Sequence, residues 1–173
     1  MEHLWTPWRS TYVTSKKDSS GCIFCAAAAG TDEEHFVIHR GAHNFVMLNR
    51  FPYTSGHIMI APNRHVSRLA PLEIPAANEM MQFAGTAERA LTEVYGANGL
   101  NLGMNLGEAA GAGIAGHIHL HVLPRWIGDT NFMTVVGNAR VMPELLEETF
   151  HKLKTAFAVF QNQRAEAGEN EKP

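Results

Sequence analysis

Short apolar runs and longer periodic segments are the main features of the chain. Residues 44–49 and 57–61 are apolar runs, and the segment between them contains Pro52 and Gly56. Turn-forming residues between two apolar runs are typical of a β-hairpin. Residues 100–106 carry leucine or methionine at every second position, which is the period of a strand with one buried face.

Two further segments carry apolar residues at steps of three and four, the period of an amphipathic helix. The first is 76–95, with Pro75 before it and Gly96 after its last apolar residue, as expected at the two ends of a helix. The second begins at Pro143. Its apolar stripe is Leu146, Phe150, Leu153, Phe157 and Phe160. Strands and unevenly interspersed helices predict an α+β fold, a single domain in which helices pack on one face of an antiparallel sheet.

The composition fits one globular domain. The chain has 173 residues, 45% of them hydrophobic, which is enough for one buried core. We expect the domain to span 1–162 and a disordered tail to span 163–173, because the tail lacks an apolar anchor. The net charge of −3 argues against a nucleic-acid polymer as partner. No apolar run matches a membrane span or a signal peptide, so we expect a cytoplasmic protein without a membrane partner.

Three histidines alternate with apolar residues in His117-Ile-His-Leu-His121. On a strand, all three imidazoles would share one face, while the intervening side chains would enter a core. Alternate residues lie about 6.6 Å apart, too far for one ion to be assumed to bind all three rings. The spacing suits a division of labour along an extended anionic substrate, although a solvated strand face or an adventitious metal site explains the bare pattern equally well.

A glycine-rich loop, residues 105–116, comes directly before these histidines. Backbone amides in such a loop can approach an anion with no side chain in the way, which predicts a phosphate cradle. For Gly113 the alternative is a plain tight turn. Next to a face of histidines, the loop favours phosphate-transfer chemistry.

The two cysteines of the chain, Cys22 and Cys25, are separated by two residues. In an unexported chain such a pair indicates metal or redox chemistry rather than a structural disulfide. Two thiolates would supply half of a tetrahedral zinc site. The alternatives are a buried pair of reduced thiols and a thioredoxin-like redox pair, although the sequence lacks the βαβ pattern expected beside the latter.

These motifs together resemble the histidine triad (HIT) superfamily of nucleotide hydrolases and transferases. The segment His117-Ile-His-Leu-His-Val-Leu123 matches the family signature in full, and residues 47–65 resemble the family's hairpin. Cys22-Ile-Phe-Cys25 resembles the start of its zinc-containing bacterial members. With Leu4-Trp-Thr-Pro-Trp-Arg9 and the residues that follow the triad, 123–132, the chain is most similar to the branch of bacterial diadenosine tetraphosphate phosphorylases and related hydrolases.

The resemblance implies an enzyme that cleaves a phosphoanhydride of a dinucleoside polyphosphate. His119 would be the nucleophile, forming a nucleotidyl-histidine that water or phosphate resolves, and His121 would contact phosphate oxygens or the leaving group. The implied substrate-binding groups are the side chains of Asn49 and Asn105 and the backbone amides of Ala112, Gly113 and Ile114. The last three residues replace the Gly-Gln-Ser/Thr that members often carry, which reduces side-chain contacts to phosphate.

The resemblance also implies a homodimer and a structural zinc ion. The implied ligands are Cys22, Cys25, His65 and His117, and a zinc with four protein ligands does not activate water. Two other functions stay open, a nucleoside phosphoramidase and a non-catalytic nucleotide-binding regulatory module.

The remaining histidines and the tryptophans receive structural interpretations. We expect isolated histidines to be partly buried structural residues, with His57 helping to pack or orient the site. These are His35, His39, His43, His57 and His151. Trp5, Trp8 and Trp126 are as suited to buried anchoring as to stacking on a nucleobase.

Overall fold

A five-stranded antiparallel sheet forms the centre of the computed structural model, which describes residues 21–137 and 142–170. The strands are β1 (Val37–Arg40), β2 (Asn44–Leu48), β3 (Ile58–Pro62), β4 (Gly99–Gly103) and β5 (Leu120–Arg125). Their order across the sheet is β1-β2-β3-β5-β4. The predicted hairpin is β2 and β3, with Asn44 opposite Pro62 and Leu48 opposite Ile58.

Helices flank this sheet in the described parts of the chain. They are α1 (Ile23–Ala29), α2 (Asp32–His35), α3 (Ile74–Tyr95), α4 (Phe132–Val135) and α5 (Leu146–Asn170), with a 3-10 turn at Glu108–Ala110. The prediction of α3 is confirmed, with Pro75 in its first turn and Gly96 at its end in a left-handed conformation, φ 59°. None of the described helices is long and apolar enough to cross a membrane.

The last helix begins later than predicted and continues past residue 162. It begins at Leu146 instead of Pro143, and the Glu144 side chain ahead of it accepts hydrogen bonds from Tyr95 and Thr149. It continues to Asn170, beyond the predicted start of the tail at residue 163. Gln163 accepts a hydrogen bond from Arg89 of α3 at 2.8 Å, which gives the helix a contact that the sequence pattern does not display.

Strand β4 lies at the edge of the sheet and pairs with β5. It is shorter than the predicted strand at 100–106, since the chain leaves the sheet after Gly103 to enter the glycine-rich loop. Leu102 is 47% exposed, so the expected buried face of this strand is wrong at that position. An edge strand has a neighbour on one side only, and alternating apolar residues do not reveal which strands are edges.

The two long helices cover one face of the sheet, as predicted. Phe83 and Leu91 of α3 and Phe150 and Phe157 of α5 form the main core with side chains from the strands. The opposite face carries a smaller cluster in which Phe24 and Ala27 of α1 pack against strand residues. These strand residues are Val37, Phe45, Met47, Met59 and Ala61. The sequence pattern did not predict α1, which covers part of the face that also carries the candidate site.

Glu79 of α3 ties the long-helix layer to the turn between β1 and β2. Its carboxylate accepts hydrogen bonds from the backbone amides of Ala42 and His43, both at 2.8 Å, and from the amide and side chain of Asn44. Partial burial by itself would raise the pKa of Glu79, but these hydrogen bonds lower it below its ordinary value. The carboxylate therefore stays ionised and keeps the turn in place.

Candidate active site

A cavity of about 390 Å³ opens between α1, the β2–β3 hairpin and the glycine-rich loop. Much of its wall is apolar, formed by Ile23, Phe24, Met47, Phe51, Met59 and Ile114. Most of the predicted substrate-binding and catalytic residues line it, namely Asn49, Asn105, Gly113, Ile114, His119 and His121. Residues that are far apart in the chain, from Ile23 to His121, therefore meet in one concave site, the usual form of a small-molecule site.

Ala112 is the predicted residue that does not line the cavity. Its backbone amide donates a hydrogen bond to the carbonyl of Gly107 at 3.4 Å, so it is engaged within the loop. Gly107 and Gly111 have φ values of 90° and 82°, a region that favours glycine because it has no Cβ. The two glycines thus allow the loop to fold back on itself. The N–H of Ala112 is used within the loop and is not free to bind phosphate, contrary to what the resemblance implied.

The histidine segment is only partly a strand, since β5 begins at Leu120. Alternation nevertheless holds, because Leu120 and Val122 belong to the long-helix core while His119 and His121 line the cavity on the other face. His117 turns away from the cavity lining toward the cysteines. The three imidazoles thus lie in two places, His119 and His121 in the cavity wall and His117 beside the cysteines.

Four side chains converge beside the cavity as a candidate metal centre. The ligand atoms of Cys22, Cys25, His65 and His117 all lie within 4.8 Å of one another. Cys22 Sγ is 3.3 Å from His117 Nδ1, and Cys25 Sγ is 3.2 Å from His65 Nδ1 and 3.7 Å from His117 Nδ1. Tetrahedral zinc with typical bond lengths separates sulfur and nitrogen ligands by about 3.6 Å. The donor types and spacings therefore fit zinc.

The hydrogen bond of Nε2 fixes the tautomer of His117 so that Nδ1 can bind a metal ion. Its Nε2–H donates a hydrogen bond to the carbonyl of Pro62 at 2.9 Å, which leaves the lone pair of Nδ1 directed to the cysteines. The ring is fully buried, and this burial lowers the pKa of His117. A neutral imidazole with a fixed tautomer is the form that ligates a metal ion.

His119 is held in the tautomer that a nucleophile needs. Its Nδ1–H donates to the backbone carbonyl of His117 at 3.0 Å, so the lone pair of the neutral ring is on Nε2. Burial lowers the pKa of His119, which keeps the imidazole unprotonated at neutral pH. The ring of Phe24 packs against it, with the ring centroids 4.5 Å apart.

His57 fixes the tautomer of His121. The backbone amide of Tyr53 donates to Nδ1 of His57 at 3.2 Å, so the proton of the neutral His57 ring is on Nε2. This Nε2–H donates to Nδ1 of His121 at 2.9 Å. Burial, with smaller effects of nearby histidines, lowers the pKa of His57 to about 3 and that of His121 to about 4. Neutral His121 consequently carries its proton on Nε2 and can donate a hydrogen bond.

His57 was expected to help pack or orient the site, but its bond to His121 was not predicted. The available signal was strand register, because Met59 lies opposite His121 and His57 is two residues before Met59. Side chains two residues apart on an extended chain share a face.

Of the tryptophans, Trp126 anchors in the structure: it donates its Nε1–H to the carbonyl of Tyr95 at 2.9 Å and packs on the core. Trp5 and Trp8 lie outside the described residues.

Asn49 places a side-chain amide at the cavity, and Arg50 places a guanidinium there. Oδ1 of Asn49 accepts from the amide of Phe51 at 3.0 Å, and its Nδ2 lies 3.3 Å from Nδ1 of His57. Arg50 donates to the carbonyl of Glu34, and its guanidinium lies 5.4 Å from the ring centre of Phe36. The arginine supplies a positive charge in the wall, a contribution that the sequence motifs did not indicate.

Comparisons with known proteins agree with this geometry. Residues 31–126 match the HIT domain family. An AP-4-A phosphorylase of Mycobacterium tuberculosis is 39% identical over 166 residues, which cover 91% of this chain and 85% of that protein. The crystal structure of a zinc-bound histidine triad family protein from Mycobacterium smegmatis is 31% identical, covers 84% of this chain and 99% of its own, and superposes with a TM-score of 0.69. The chain therefore belongs to the histidine triad family of nucleotide-processing enzymes.

Proposed function

We propose that this enzyme cleaves a phosphoanhydride bond of a dinucleoside polyphosphate, such as diadenosine tetraphosphate, through a covalent nucleotidyl intermediate on His119. The observation that carries the proposal is the tautomer of His119, whose Nδ1–H is held by the His117 carbonyl in the wall of the cavity. This arrangement leaves Nε2 as the nucleophilic atom. The relative named AP-4-A phosphorylase supports the choice of substrate.

In the first step, the lone pair of His119 Nε2 attacks the α-phosphorus and forms a P–N bond. The bond between this phosphorus and the bridging oxygen breaks, and its electron pair leaves with the remaining nucleoside polyphosphate. His121, whose Nε2–H is set by the bond from His57, donates a hydrogen bond to the phosphate or leaving-group oxygen. Free amides of the glycine-rich loop, at Gly113 and Ile114, offset the charge that develops on the phosphoryl oxygens.

In the second step, water or inorganic phosphate attacks the same phosphorus and breaks the P–N bond, which returns the electron pair to Nε2 of His119; when water attacks, its proton passes to solvent. Water releases AMP and phosphate releases ADP, while the first step on diadenosine tetraphosphate releases ATP. Asn49 and Asn105, which line the cavity, hold the ribose or a phosphate through their side-chain amides. The acceptor therefore decides whether the enzyme is a hydrolase or a phosphorylase.

The test is to incubate the protein with diadenosine tetraphosphate, with and without inorganic phosphate, and to separate the nucleotides. ATP with AMP indicates hydrolysis, and ATP with ADP that requires phosphate indicates phosphorolysis. Denaturing the enzyme during turnover with a labelled substrate should trap label on His119. Unchanged turnover by His119→Ala would eliminate the proposed nucleophile. Preferred turnover of an adenosine phosphoramidate would instead favour a phosphoramidase, and nucleotide binding without any product would favour a regulatory module.

The same proposal includes a structural zinc ion at Cys22, Cys25, His65 and His117. When bound, zinc would cross-link α1 to the loop at His65 and to the start of the triad. A cytoplasmic setting keeps both thiols reduced and able to bind metal. Elemental analysis of protein purified without added metal should find about one zinc per chain. An active preparation without zinc would show that the site is not required.

We also propose that the enzyme is a homodimer. Strand β4 lies at the sheet edge with Leu102 about half exposed, and an edge of this kind is suited to pairing with a second copy. Light scattering coupled to size-exclusion chromatography should give twice the chain mass of 19.1 kDa. A single-chain mass at working concentration would contradict the dimer.

A further inference from the structure

Phe24 connects the candidate metal centre with the proposed nucleophile. It stands between Cys22 and Cys25 in the sequence, and its side chain is 1% exposed. Its ring centroid lies 4.5 Å from that of His119, at an interplanar angle of 32°, and 5.2 Å from that of His117. One aromatic ring therefore contacts a metal-site imidazole and the imidazole that lines the cavity.

The two ends of α1 are attached to the rest of the fold in different ways. At its carboxyl end, Arg40 donates hydrogen bonds to the carbonyls of Ala27, Ala28 and Gly30, each at 2.9 Å. At its amino end, Cys22 gives the helix no side-chain cap. Near this end, Sγ of Cys25 lies 3.2 Å from Nδ1 of His65, and Sγ of Cys22 lies 3.3 Å from Nδ1 of His117. Besides the packing of Phe24 in the smaller apolar cluster, these sulfur–imidazole contacts are what attaches this end of the helix, so a metal ion that joined the four side chains would tighten it.

We propose that zinc bound by Cys22, Cys25, His65 and His117 holds Phe24 against His119 and thereby orients the nucleophilic ring. This inference rests on the proposed function, because it assigns Phe24 as a positioning residue for the reaction of His119. The bond from Nδ1–H to the His117 carbonyl restrains the imidazole at one edge. The terminal torsion of a histidine side chain has broad minima. The His121 ring meets His119 edge-on, with the centroids 4.7 Å apart and an interplanar angle of 75°, whereas Phe24 packs against its face at 32°, so Phe24 adds the facial restraint on the direction of Nε2.

Other side chains around Phe24 do not replace this contact. Met47 and Met59 belong to the same cluster and line the cavity, but a thioether is flexible and presents no flat surface. Phe45 is also in the cluster, fully buried, and does not line the cavity. It therefore provides a matched control, an aromatic residue of the same layer that is not placed beside His119.

The first experiment follows the ring protons of His119 by NMR in protein labelled with ¹³C-histidine, with His119→Asn used for assignment. In zinc-loaded protein, the ring current of Phe24 should displace these resonances upfield. We expect the displacement to disappear in Phe24→Leu and on removal of zinc with a chelator, and to persist in Phe45→Leu. A displacement that survives zinc removal in folded protein would overturn the proposal. This measurement does not require turnover, so its outcome is distinguishable from a failure of the proposed function.

The second experiment is a cycle that combines zinc removal with Phe24→Leu and measures kcat and KM. We expect either change alone to lower kcat by about tenfold, as a misdirected reacting group does, with a smaller effect on KM. Both changes together should lower kcat by no more than either one, because they break the same connection. Independent effects, near a hundredfold in combination, would overturn the proposal.

Zinc-loaded variants decide the matter if chelation unfolds the chain, which circular dichroism would detect. Phe24→Tyr retains an aromatic ring and should keep kcat within about threefold of wild type, whereas Phe24→Leu should lose about tenfold with zinc content unchanged. Equal kcat values for the two variants would contradict a positioning role for the ring.

Discussion

The two faces of the sheet are stabilised by different means. On the long-helix face, α3 and α5 bury a continuous apolar cluster that includes Leu48, Ile60 and Phe157. On the cavity face, a short helix, a glycine-rich loop and buried histidines leave a concave space, and the apolar cluster is small. The main apolar core and the candidate active site thus lie on opposite faces of the same strands. Along the triad this separation occurs residue by residue, since Leu120 faces the core and His121 faces the cavity.

The largest expected effect is on the cavity face. His119→Ala should lower kcat on diadenosine tetraphosphate by about a thousandfold or more, because the nucleophile is lost. Zinc content and the melting temperature should change little, since the ring contributes little to the main core. His151→Ala, at an exposed position of α5, is the control and should keep full activity. Loss of the fold in His119→Ala would contradict the separation of the two faces.

A substitution on the long-helix face should instead lower stability. Phe157 is fully buried, and its ring centroid lies 6.0 Å from that of Phe83. Phe157→Ala should cost about 3–5 kcal/mol of unfolding free energy through lost burial and a cavity. This would be seen as a fall in melting temperature of about 6–20 °C. Val159→Ala, half-exposed on the same helix, should cost below about 0.5 kcal/mol. An equal loss in both variants would mean that the helix does not bury the predicted stripe.

A smaller effect is expected where a buried side chain serves the chemistry indirectly. His57→Gln removes the imidazole that donates to Nδ1 of His121, so the proton of His121 is no longer restricted to Nε2. We expect kcat to fall by about ten- to a hundredfold, the range for losing one hydrogen bond to a reacting group. The measurement is steady-state kinetics of zinc-loaded protein, with His151→Gln as the control. Unchanged kcat would show that His57 only fills space.

The smallest effect concerns the attachment of the helix layer to the sheet, and it depends on pH. Because the pKa of Glu79 is lowered in the folded chain, the contribution of the carboxylate is complete above its ordinary value of 4.5. It is lost as the pH falls through the lowered pKa. Glu79→Gln should therefore cost about 1 kcal/mol near pH 7 and less at pH 3. Chemical denaturation of both proteins at the two pH values measures this difference, and a constant difference would contradict an ionised Glu79.

Local sequence patterns were sufficient for the elements with strong periodicity. The spacing of apolar residues predicted α3 within two residues at its start and placed the hairpin strands correctly. Alternation predicted which triad side chains face the core, although the strand itself begins only at Leu120. These features are local because each is defined by neighbours along the chain, and the signature motif gave the family for the same reason.

Features that depend on distant contacts could not be predicted in this way. The bond between His57 and His121 joins residues 64 positions apart, and the part of α5 past residue 162 contacts α3 through Arg89. The exposure of Leu102 depends on the position of β4 at the sheet edge. The periodicity of a segment does not encode these partners. Such features occur in both layers, since the His57–His121 bond lies on the cavity face and the Arg89–Gln163 bond joins the two long helices.

The acceptor for the Nδ1–H of His119 is a main-chain carbonyl, that of His117. Any residue at position 117 would present the same oxygen as long as the backbone path is retained, so the protonation pattern of the nucleophile does not depend on a second side chain. Wall residues other than Phe24, which packs against His119, can therefore change and alter which nucleotides are accepted while the reacting nitrogen keeps its lone pair. At those positions, substrate preference can evolve independently of reactivity.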